Sequence, residues 1–206
     1  MTFLSIKEGL HNDIILQTYG IITQSFFVIR RNISGLNFKG FITEGDISQI
    51  DDILVSFIKK LPSDYLGNIY SSEDKDYEAK TKLFLETFHL TSNVNPRILN
   101  NETPFGSKIY LSDSRDLSIL TNYEDHFLLI FEFKYHSILK ALQKLEFLIK
   151  IFDKTLQELN QTPAHRPSLG FLTLNPNFIG LGISLNYSLK LREKGPNEMQ
   201  IELNPE

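Results

Sequence analysis

The stretch SKIYLSDSRDLSILTNYEDHFLLIFEF, residues 107–133, decides the fold of this chain. It contains runs of isoleucine, leucine, tyrosine and phenylalanine, which are separated by short polar segments rich in serine, aspartate and asparagine. Apolar and aromatic runs bounded by turn-forming residues predict β-strands that are joined by turns. We therefore expect a β region from Lys108 to Tyr135.

Helical patterns lie on both sides of this β region. Ser137 is the predicted N-cap of a long helix, and the residues after it place apolar side chains along one helical face: Ile138, Leu142, Leu145, Ile149, Phe152, Leu156 and Leu159. Upstream, DISQIDDILVSFIKKL (residues 46–61) has a helical apolar stripe, with acidic residues early and lysines late, as the helix dipole favours. Residues 62–107 predict polar loops and one helix around residues 77–88.

Further segments predict strands. The stretch TYGIITQSFFVIRR (residues 18–31) is rich in β-branched and aromatic residues and predicts a strand or a hairpin. Two more strands are expected after the loop QTPAHRPS. The last of them, Ile183–Arg192, alternates apolar and polar residues, so one face is expected on the core and the other towards solvent or a cleft. These elements predict an α+β fold, an antiparallel β-sheet flanked by helices, after a short amphipathic lead-in at residues 1–16.

Composition argues against several classes of protein. The chain has 206 residues, of which 41% are hydrophobic and 22% charged, so it can bury a core and has too little charge for disorder. A formal net charge of −4 argues against nucleic acid as a partner. The chain has no cysteine, and its five histidines lack metal-ligand spacing, so we predict no metal site. No apolar run reaches the ~20 residues of a membrane span and no signal-peptide pattern is present, so we predict a cytoplasmic protein without a membrane partner.

Two groups of polar residues are candidates for a functional site, and each has two interpretations. The pair Arg30 and Arg31 follows a predicted strand and could hold a phosphate, or it could be two solvated charges at the strand end. The cluster Glu124, Asp125 and His126 lies between two β-rich runs. An acid and a histidine on a loop can perform acid–base chemistry, but aspartate also stabilises turns by bonding to its own backbone.

The order of three segments resembles the phosphagen (guanidino) kinases, which include arginine and creatine kinases and bacterial protein-arginine kinases. Within residues 107–133, the family motif N-E-E-D-H-L-R is met by Asn122, Glu124, Asp125 and His126. The stretch GFLTLNPNFIGLGISLNYSLKL (residues 170–191) resembles a second family motif, in register at Gly170, Leu172, Thr173, Pro176, Gly180, Lys190 and Leu191. A third segment, FFVIRRNISGLNF, is similar to the family's strand motif at Arg31, Ile33 and Gly35.

This resemblance covers residues 20–192 in the family's order and implies the catalytic-domain fold of the glutamine-synthetase/guanidino-kinase type. It implies one domain over residues 1–192 that lacks the family's C-terminal part, followed by a polar tail at residues 193–206. It also implies that Glu124 pairs with a substrate guanidinium and that Arg31 is the one retained arginine of the nucleotide phosphate site. The other cleft positions implied by register are Asn122, Asn175, Ser184 and Ser188.

The departures from the family bear on activity. By register, positions that hold arginine or histidine in the family are occupied here by Val28, Leu111, Leu128, Ser184 and Ser188. Tyr123 replaces the first acid of the N-E-E-D-H motif, and Asn175 replaces the reactive cysteine. Phosphoryl transfer is catalysed by positioning and by positive charge around the transferred group. The resemblance therefore implies a pseudokinase that has lost ATP binding, needs no cofactor and acts as a binding or regulatory module.

Alternatives stay open at this point. The module could recognise arginine or phosphoarginine through Glu124. An active ATP:guanidino phosphotransferase, using Mg-ATP, would need a rearranged or partner-completed site with charge from Arg30, Arg31, Lys190 and Arg192. A purely structural role in an assembly is the third reading. Because the family's later elements are missing from the resemblance, we expect a homodimer or another protein partner to cover the open sheet.

Overall fold

The computed structural model describes residues 20–38, 40–71, 73–87, 106–134 and 137–191. The predicted lead-in at residues 1–16 and the polar tail at residues 193–206 lie outside these ranges. Within them, strands and helices follow one another in a mixed α+β order, which confirms the predicted fold class.

An antiparallel sheet is the centre of the fold. Its six strands run in the spatial order β2-β3-β4-β5-β1-β8, and the bounds are β1 Gly20–Arg31, β2 Gly67–Ser71, β3 Lys108–Ser112, β4 Leu117–Thr121, β5 Phe127–Phe133 and β8 Ile183–Leu191. The short strands β6 (His165–Arg166) and β7 (Gly170–Phe171) form a separate hairpin. The consecutive strands β3, β4 and β5 are neighbours, so residues 107–133 do form the β region that the sequence predicted.

The helices lie close to the predicted ranges. They are α1 (Glu44–Ile58), α2 (Tyr77–Thr87) and α3 (Ile138–Glu158). Helix α1 begins with a capping box, in which the Thr43 hydroxyl accepts from the backbone N–H of Asp46 and the Asp46 carboxylate accepts from the Thr43 N–H. Ser137 occupies the N-cap position of α3 but makes no capping bond, because its hydroxyl donates to the Lys134 carbonyl.

The two faces of the sheet bury different cores. The first face packs against α1 and α3, where Ile50, Leu54, Phe57, Leu145 and Phe152 meet the side chains of alternate strand residues such as Phe27, Ile29, Phe127 and Leu129. The second face carries a smaller apolar cluster that includes residues of α2. Because successive side chains on a strand point to opposite faces, neighbouring positions on β1 contribute to different cores.

Two predictions about strands were wrong. Strand β2 lies within residues 62–107, where the sequence predicted only loops and a helix. Its glycine and asparagine weaken the strand pattern. The backbone pairing with β3 stabilises the strand instead. On β8 the apolar face was expected on the core; this is wrong for Leu185 and Tyr187, which are each 37% exposed, whereas Ile183 does pack against the first core. Among the strands that the structure describes, β8 lies at the sheet edge and pairs on one side, with β1, which explains this exposure.

None of the described helices is long and apolar enough to cross a membrane. The cytoplasmic location stays a prediction.

The expected partner on the open sheet stays a prediction, and β8 indicates where it would bind. The alternation ISLNYSLKL is symmetric about Tyr187, so two copies of β8 paired antiparallel about that residue would oppose apolar with apolar side chains and would place Lys190 opposite Ser184. We expect a homodimer in the tens-of-micromolar range, measured by multi-angle light scattering.

Charge on the edge strand tests this arrangement. Leu185→Lys with Tyr187→Lys is expected to give a monomer, because lysines on an edge strand oppose pairing. The control is Leu139→Lys, which changes an apolar residue of α3 that is 70% exposed and distant in sequence from β8. A wild-type monomer, or equal loss of dimer in the control, would contradict the prediction.

Candidate functional site

The candidate site is built around the turn Asn122–His126, which connects β4 to β5. Two other segments pack onto this turn: the end of β1 with the residues after it, and the loop that follows β7. Hydrogen bonds between side chains and backbone join the three segments. The short Asn-Tyr-Glu-Asp-His sequence is thus held by residues that are distant along the chain.

His126 is a structural residue of this turn. Its Nδ1 accepts a hydrogen bond from the Ile33 backbone N–H at 2.9 Å, so Nδ1 carries no proton. Its Nε2 lies 2.9 Å from the Asn37 carbonyl oxygen, which can only accept, so Nε2 carries the proton and donates. The ring is 2% exposed, and burial lowers the pKa of His126 below its usual value. Both ring nitrogens are therefore committed, and His126 is not available as a general base.

Asp125 connects the three segments. Its Oδ1 accepts from the side-chain amide of Asn32 at 2.6 Å and from the backbone N–H of Leu174 at 2.8 Å. Asn32 also accepts from the His126 backbone N–H and donates to the Leu172 carbonyl. The acid–histidine pair thus holds the turn against distant segments, and Asp125 Oδ1 bonds to Asn32 and Leu174 rather than to its own backbone as the turn reading predicted.

Glu124 differs from its neighbours in accessibility. It is the one residue of the turn that is half-buried, whereas Asn122, Tyr123, Asp125 and His126 are all buried. Burial, with the charge of Glu124 as the next cause, raises the pKa of Tyr123 to about 12. Glu124 is therefore the carboxylate of the turn that a ligand from solvent can reach.

Asn122 shapes the turn. Its φ of 54° lies in the left-handed region, which asparagine tolerates better than most residues. Its side-chain amide donates to the Gly106 carbonyl at 2.9 Å, and its backbone N–H donates to the His126 carbonyl at 3.2 Å. These contacts close the turn, and a role for Asn122 in ligand binding stays a prediction.

Arg31 lies on the face of β1 that packs against α3. Its Nη1 donates to the carbonyls of Arg30, Leu181 and Gly182, at 2.8, 3.2 and 3.2 Å respectively. The guanidinium carbon lies 3.6 Å from the centre of the Phe171 ring, and burial lowers the pKa of Arg31 to about 10. These contacts hold the residues just before β8 against the end of β1, on the face opposite to Val28. A phosphate-binding role for Arg31 stays a prediction.

Gly182 makes the close approach of Arg31 feasible. Its φ is +59°, and a Cβ built on it would lie 2.5 Å from Arg31 Nη1 and 2.8 Å from the Arg30 carbonyl oxygen. Only glycine leaves that space.

Arg30 lies on the other face of β1, the face of Val28. Its guanidinium carbon is 3.6 Å from the centre of the Phe178 ring, and its Nε is 3.9 Å from Asp125 Oδ2. It is 5% exposed, and burial lowers its pKa while the charges of Asp125 and then Glu124 raise it. The sequence identified the two adjacent arginines but did not assign them to different faces of the sheet. The alternation of side chains along β1 shows that they lie on opposite faces.

The second face of the sheet is apolar around the candidate site. Val28, Leu128 and Tyr123 are 1%, 5% and 4% exposed and belong to one hydrophobic cluster, against which Leu111 packs. The same cluster contains Tyr77 and Phe84 of α2 and also Phe26, Ile109, Leu120 and Ile130. Of the positions that by register hold cations in the resembled family, Val28 and Leu128 are thus members of this core, and Leu111 lies at its border.

The remaining predicted cleft residues make local contacts. The Asn175 side chain caps the short 3-10 helix Pro176–Phe178 by accepting from the Asn177 N–H. The Ser184 hydroxyl accepts from the Asn186 amide at 3.2 Å, and Ser184 pairs in register with Val28. Ser188 lies on β8 opposite Gln24. Among the residues that the structure describes, no group of three His, Asp or Glu side chains is placed to hold a metal ion.

Comparison with known proteins shows what this sequence resembles. The sequence profile of the ATP:guanido phosphotransferase C-terminal catalytic domain matches residues 49–193. An arginine kinase of Penaeus vannamei is 22% identical over 182 residues, which cover 84% of this chain and 48% of that protein. A taurocyamine kinase of Schistosoma mansoni is 23% identical over 194 residues, covering 90% and 25%. The chain spans about half the length of the curated arginine kinases that it matches.

Solved structures share the fold. A lombricine kinase superposes with a TM-score of 0.69 at 17% identity, over 84% of this chain and 48% of that chain. The substrate-free duplicated taurocyamine kinase from Schistosoma mansoni gives a TM-score of 0.66 at 19% identity, over 81% and 23%. The predicted fold is confirmed: this sheet with its flanking helices is shared with those kinases.

The role of His126 predicts a pH dependence of stability. Because its pKa is lower in the folded state than the usual value of about 6.5, its contribution is full above about pH 6.5 and is lost as the pH falls towards the folded-state pKa. Urea denaturation at about pH 8 and about pH 5 measures this loss. His126→Phe is expected to lower stability by about 1–3 kcal/mol per partner left unpaired and to flatten the slope.

The control for that experiment is His165→Gln. His165 is exposed, so the substitution is expected to leave both the stability and its pH slope unchanged. An unaltered slope in His126→Phe would show that the histidine does not carry it.

Proposed function

The chain belongs to the family of ATP:guanido phosphotransferase C-terminal catalytic domains, and we propose that it is a catalytically degenerate member that acts as a binding or regulatory module. Relatives such as the arginine kinase of Penaeus vannamei carry the kinase name, but they are about twice as long as this chain. The proposal concerns what the second face of the sheet can bind, since that is where the departures from the family motifs lie.

The observation that carries the proposal is the apolar cluster on that face. Val28 and Leu128 are neighbouring buried members of the cluster, with Leu111 at its border. These three positions are apolar and share a cluster with Tyr77 and Phe84 of α2, and the fourth described position, Ser184, is polar but uncharged. A buried apolar cluster stabilises a fold but offers no donors to phosphate oxygens.

The residues on this face do not fit a nucleotide triphosphate. Holding ATP phosphates for transfer takes several cations or metal-bound oxygens, and each charge-assisted hydrogen bond contributes about 1.5–3 kcal/mol. Arg30 lies on this face but is buried beside Asp125, with its Nε 3.9 Å from Asp125 Oδ2, and is stacked on Phe178. We therefore derive no catalytic step through ATP and propose that Mg-ATP is not a cofactor of this chain.

A guanidino ligand fits the site better than a nucleotide does. Glu124 is the accessible carboxylate of the turn, and a carboxylate pairs with a planar guanidinium through two parallel hydrogen bonds. Arginine and phosphoarginine are the ligands we propose.

An active phosphotransferase is the second candidate function, and the position of Arg30 favours it. Arg30 is a cation on the same face as Val28, and two of its nitrogens have no hydrogen-bond partner. If Arg30 moved away from the acidic turn, or if a second chain supplied further arginines, this face would carry positive charge that could bind phosphate. The experiments below separate the two candidates.

Ligand titration tests the proposed function. Calorimetric titration of the purified chain with Mg-ATP is expected to give no saturable heat, because the family's cation positions that the structure describes on the second face hold uncharged side chains. Titration with arginine and then phosphoarginine is expected to give saturable binding that Glu124→Ala abolishes. The control variant is Glu146→Ala, which removes an exposed carboxylate of α3 that pairs with Lys150. Micromolar ATP binding, or phosphoryl transfer from ATP to arginine above the Glu124→Ala background, would overturn the proposal.

Restoring a family arginine tests the cluster itself. Leu128→Arg is expected to lower stability by about 3–5 kcal/mol in urea denaturation, because it buries an unpaired charge. Leu128→Met is the matched control and is expected to cost less than about 1.5 kcal/mol. If Leu128→Arg folded as stably as the wild type and gained ATP binding, the face would be a cleft and not a core.

A further inference from the structure

We propose that the guanidinium of Arg30 acts as an internal ligand of the acidic turn, so that it occupies the place that an external guanidino compound would take and competes with it. This inference rests on the proposed function, since it concerns the same acidic site. It assigns to Arg30 a regulatory role that the family motifs do not contain.

The placement of Arg30 is the first argument. The side chain extends from the end of β1 towards the turn, where its Nε lies 3.9 Å from Asp125 Oδ2. The charges of Asp125 and Glu124 both act on it. A guanidinium from the chain itself therefore lies beside the carboxylates that would attract one from solution.

The ion pair between Arg30 and Asp125 is incomplete. Arg30 Nε and Nη1, and Asp125 Oδ2, are buried without a hydrogen-bond partner. A guanidinium fully bound to a carboxylate makes two short parallel hydrogen bonds, and 3.9 Å exceeds hydrogen-bond length. Arg30 is therefore near the acidic turn but is not locked to it, which is what a displaceable occupant requires.

The contrast with Arg31 supports this reading. Arg31 Nη1 donates to three backbone carbonyls, as a structural arginine is expected to do. Its neighbour Arg30 is equally buried, at 5% against 3% exposed, but satisfies fewer of its donors. Burial of unpaired donors costs free energy. A partner that accepted hydrogen bonds from the Arg30 guanidinium would therefore stabilise the protein.

The loop after β7 covers the arginine. Phe178 stacks on the guanidinium at 3.6 Å, and Leu174 in the same loop donates its backbone N–H to Asp125 Oδ1. The loop thus contacts both members of the Arg30–Asp125 pair. Entry of an external guanidinium at Glu124 and Asp125 would displace Arg30 from the Phe178 ring, and this would couple ligand binding to the position of the loop.

Chemical rescue tests the inference. Arg30→Ala removes the internal guanidinium and leaves its space beside the carboxylates. The variant is expected to be less stable than the wild type and to regain thermal stability with millimolar ethylguanidinium, which the wild type does not. Its affinity for arginine, measured by calorimetry, is expected to rise about tenfold or more. Arg166→Ala, at an exposed arginine, is the control and is expected to show neither effect.

Two further variants keep the inference open to refutation. Arg30→Ala combined with Glu124→Gln is expected to lose the rescue, because the external guanidinium then has one carboxylate fewer. If Arg30→Ala does not fold, Phe178→Ala keeps the charge but removes the ring that holds it, and arginine affinity is expected to rise. Unchanged arginine affinity in a folded Arg30→Ala, or in Phe178→Ala if that is the variant that folds, would overturn the inference.

Failure of the internal-ligand inference is distinguishable from failure of the proposed function. The proposed function fails if the wild type binds or uses ATP. The internal-ligand inference fails if a folded Arg30→Ala binds arginine no more tightly than the wild type, whatever the result with ATP.

Discussion

The hydrogen bonds of Asn32 with Asp125 and His126 are the constraint on which the rest of the site depends. Asn32 follows β1, and its amide group bonds to the Asp125 carboxylate, the His126 backbone N–H and the Leu172 carbonyl. Three segments that are far apart in sequence are thereby fixed at one point. Because a buried polar network stabilises a structure only when its members are satisfied, the N-x-x-D-H pattern of the turn can be kept for packing as well as for chemistry.

That constraint is separate from the apolar cluster on the second face of the sheet. The network fixes the turn and the order of β4, β5 and β1, and it does not involve Val28 or Leu128. Those positions face the second side of the sheet, where apolar residues pack on α2. A sheet supported from both faces can exchange a cluster of charges for a core without altering its strand order, since the backbone ladder does not depend on the side chains.

The two adjacent arginines show how one residue of sequence separation changes a role. Arg31 faces α3 and bonds to backbone carbonyls, whereas Arg30 faces the acidic turn and Phe178. The first stabilises the junction with Gly182, and the second lies beside Asp125, where we propose that it competes with an external guanidinium. A binding module and a kinase would differ at this site in whether the acidic turn is open to ligands or filled by the chain's own guanidinium.

The sequence by itself determined the fold class, the β region of residues 107–133, the three helices and the family, because these depend on local periodicity and on the order of motifs. It did not find β2, whose five residues are a strand only through pairing with β3, and it misassigned the burial of Leu185 on the edge strand β8. The burial of Val28 and Leu128 in one cluster and the separation of Arg30 from Arg31 came only from the tertiary structure. These features depend on which distant segments pack on each face of the sheet, and no local pattern records that.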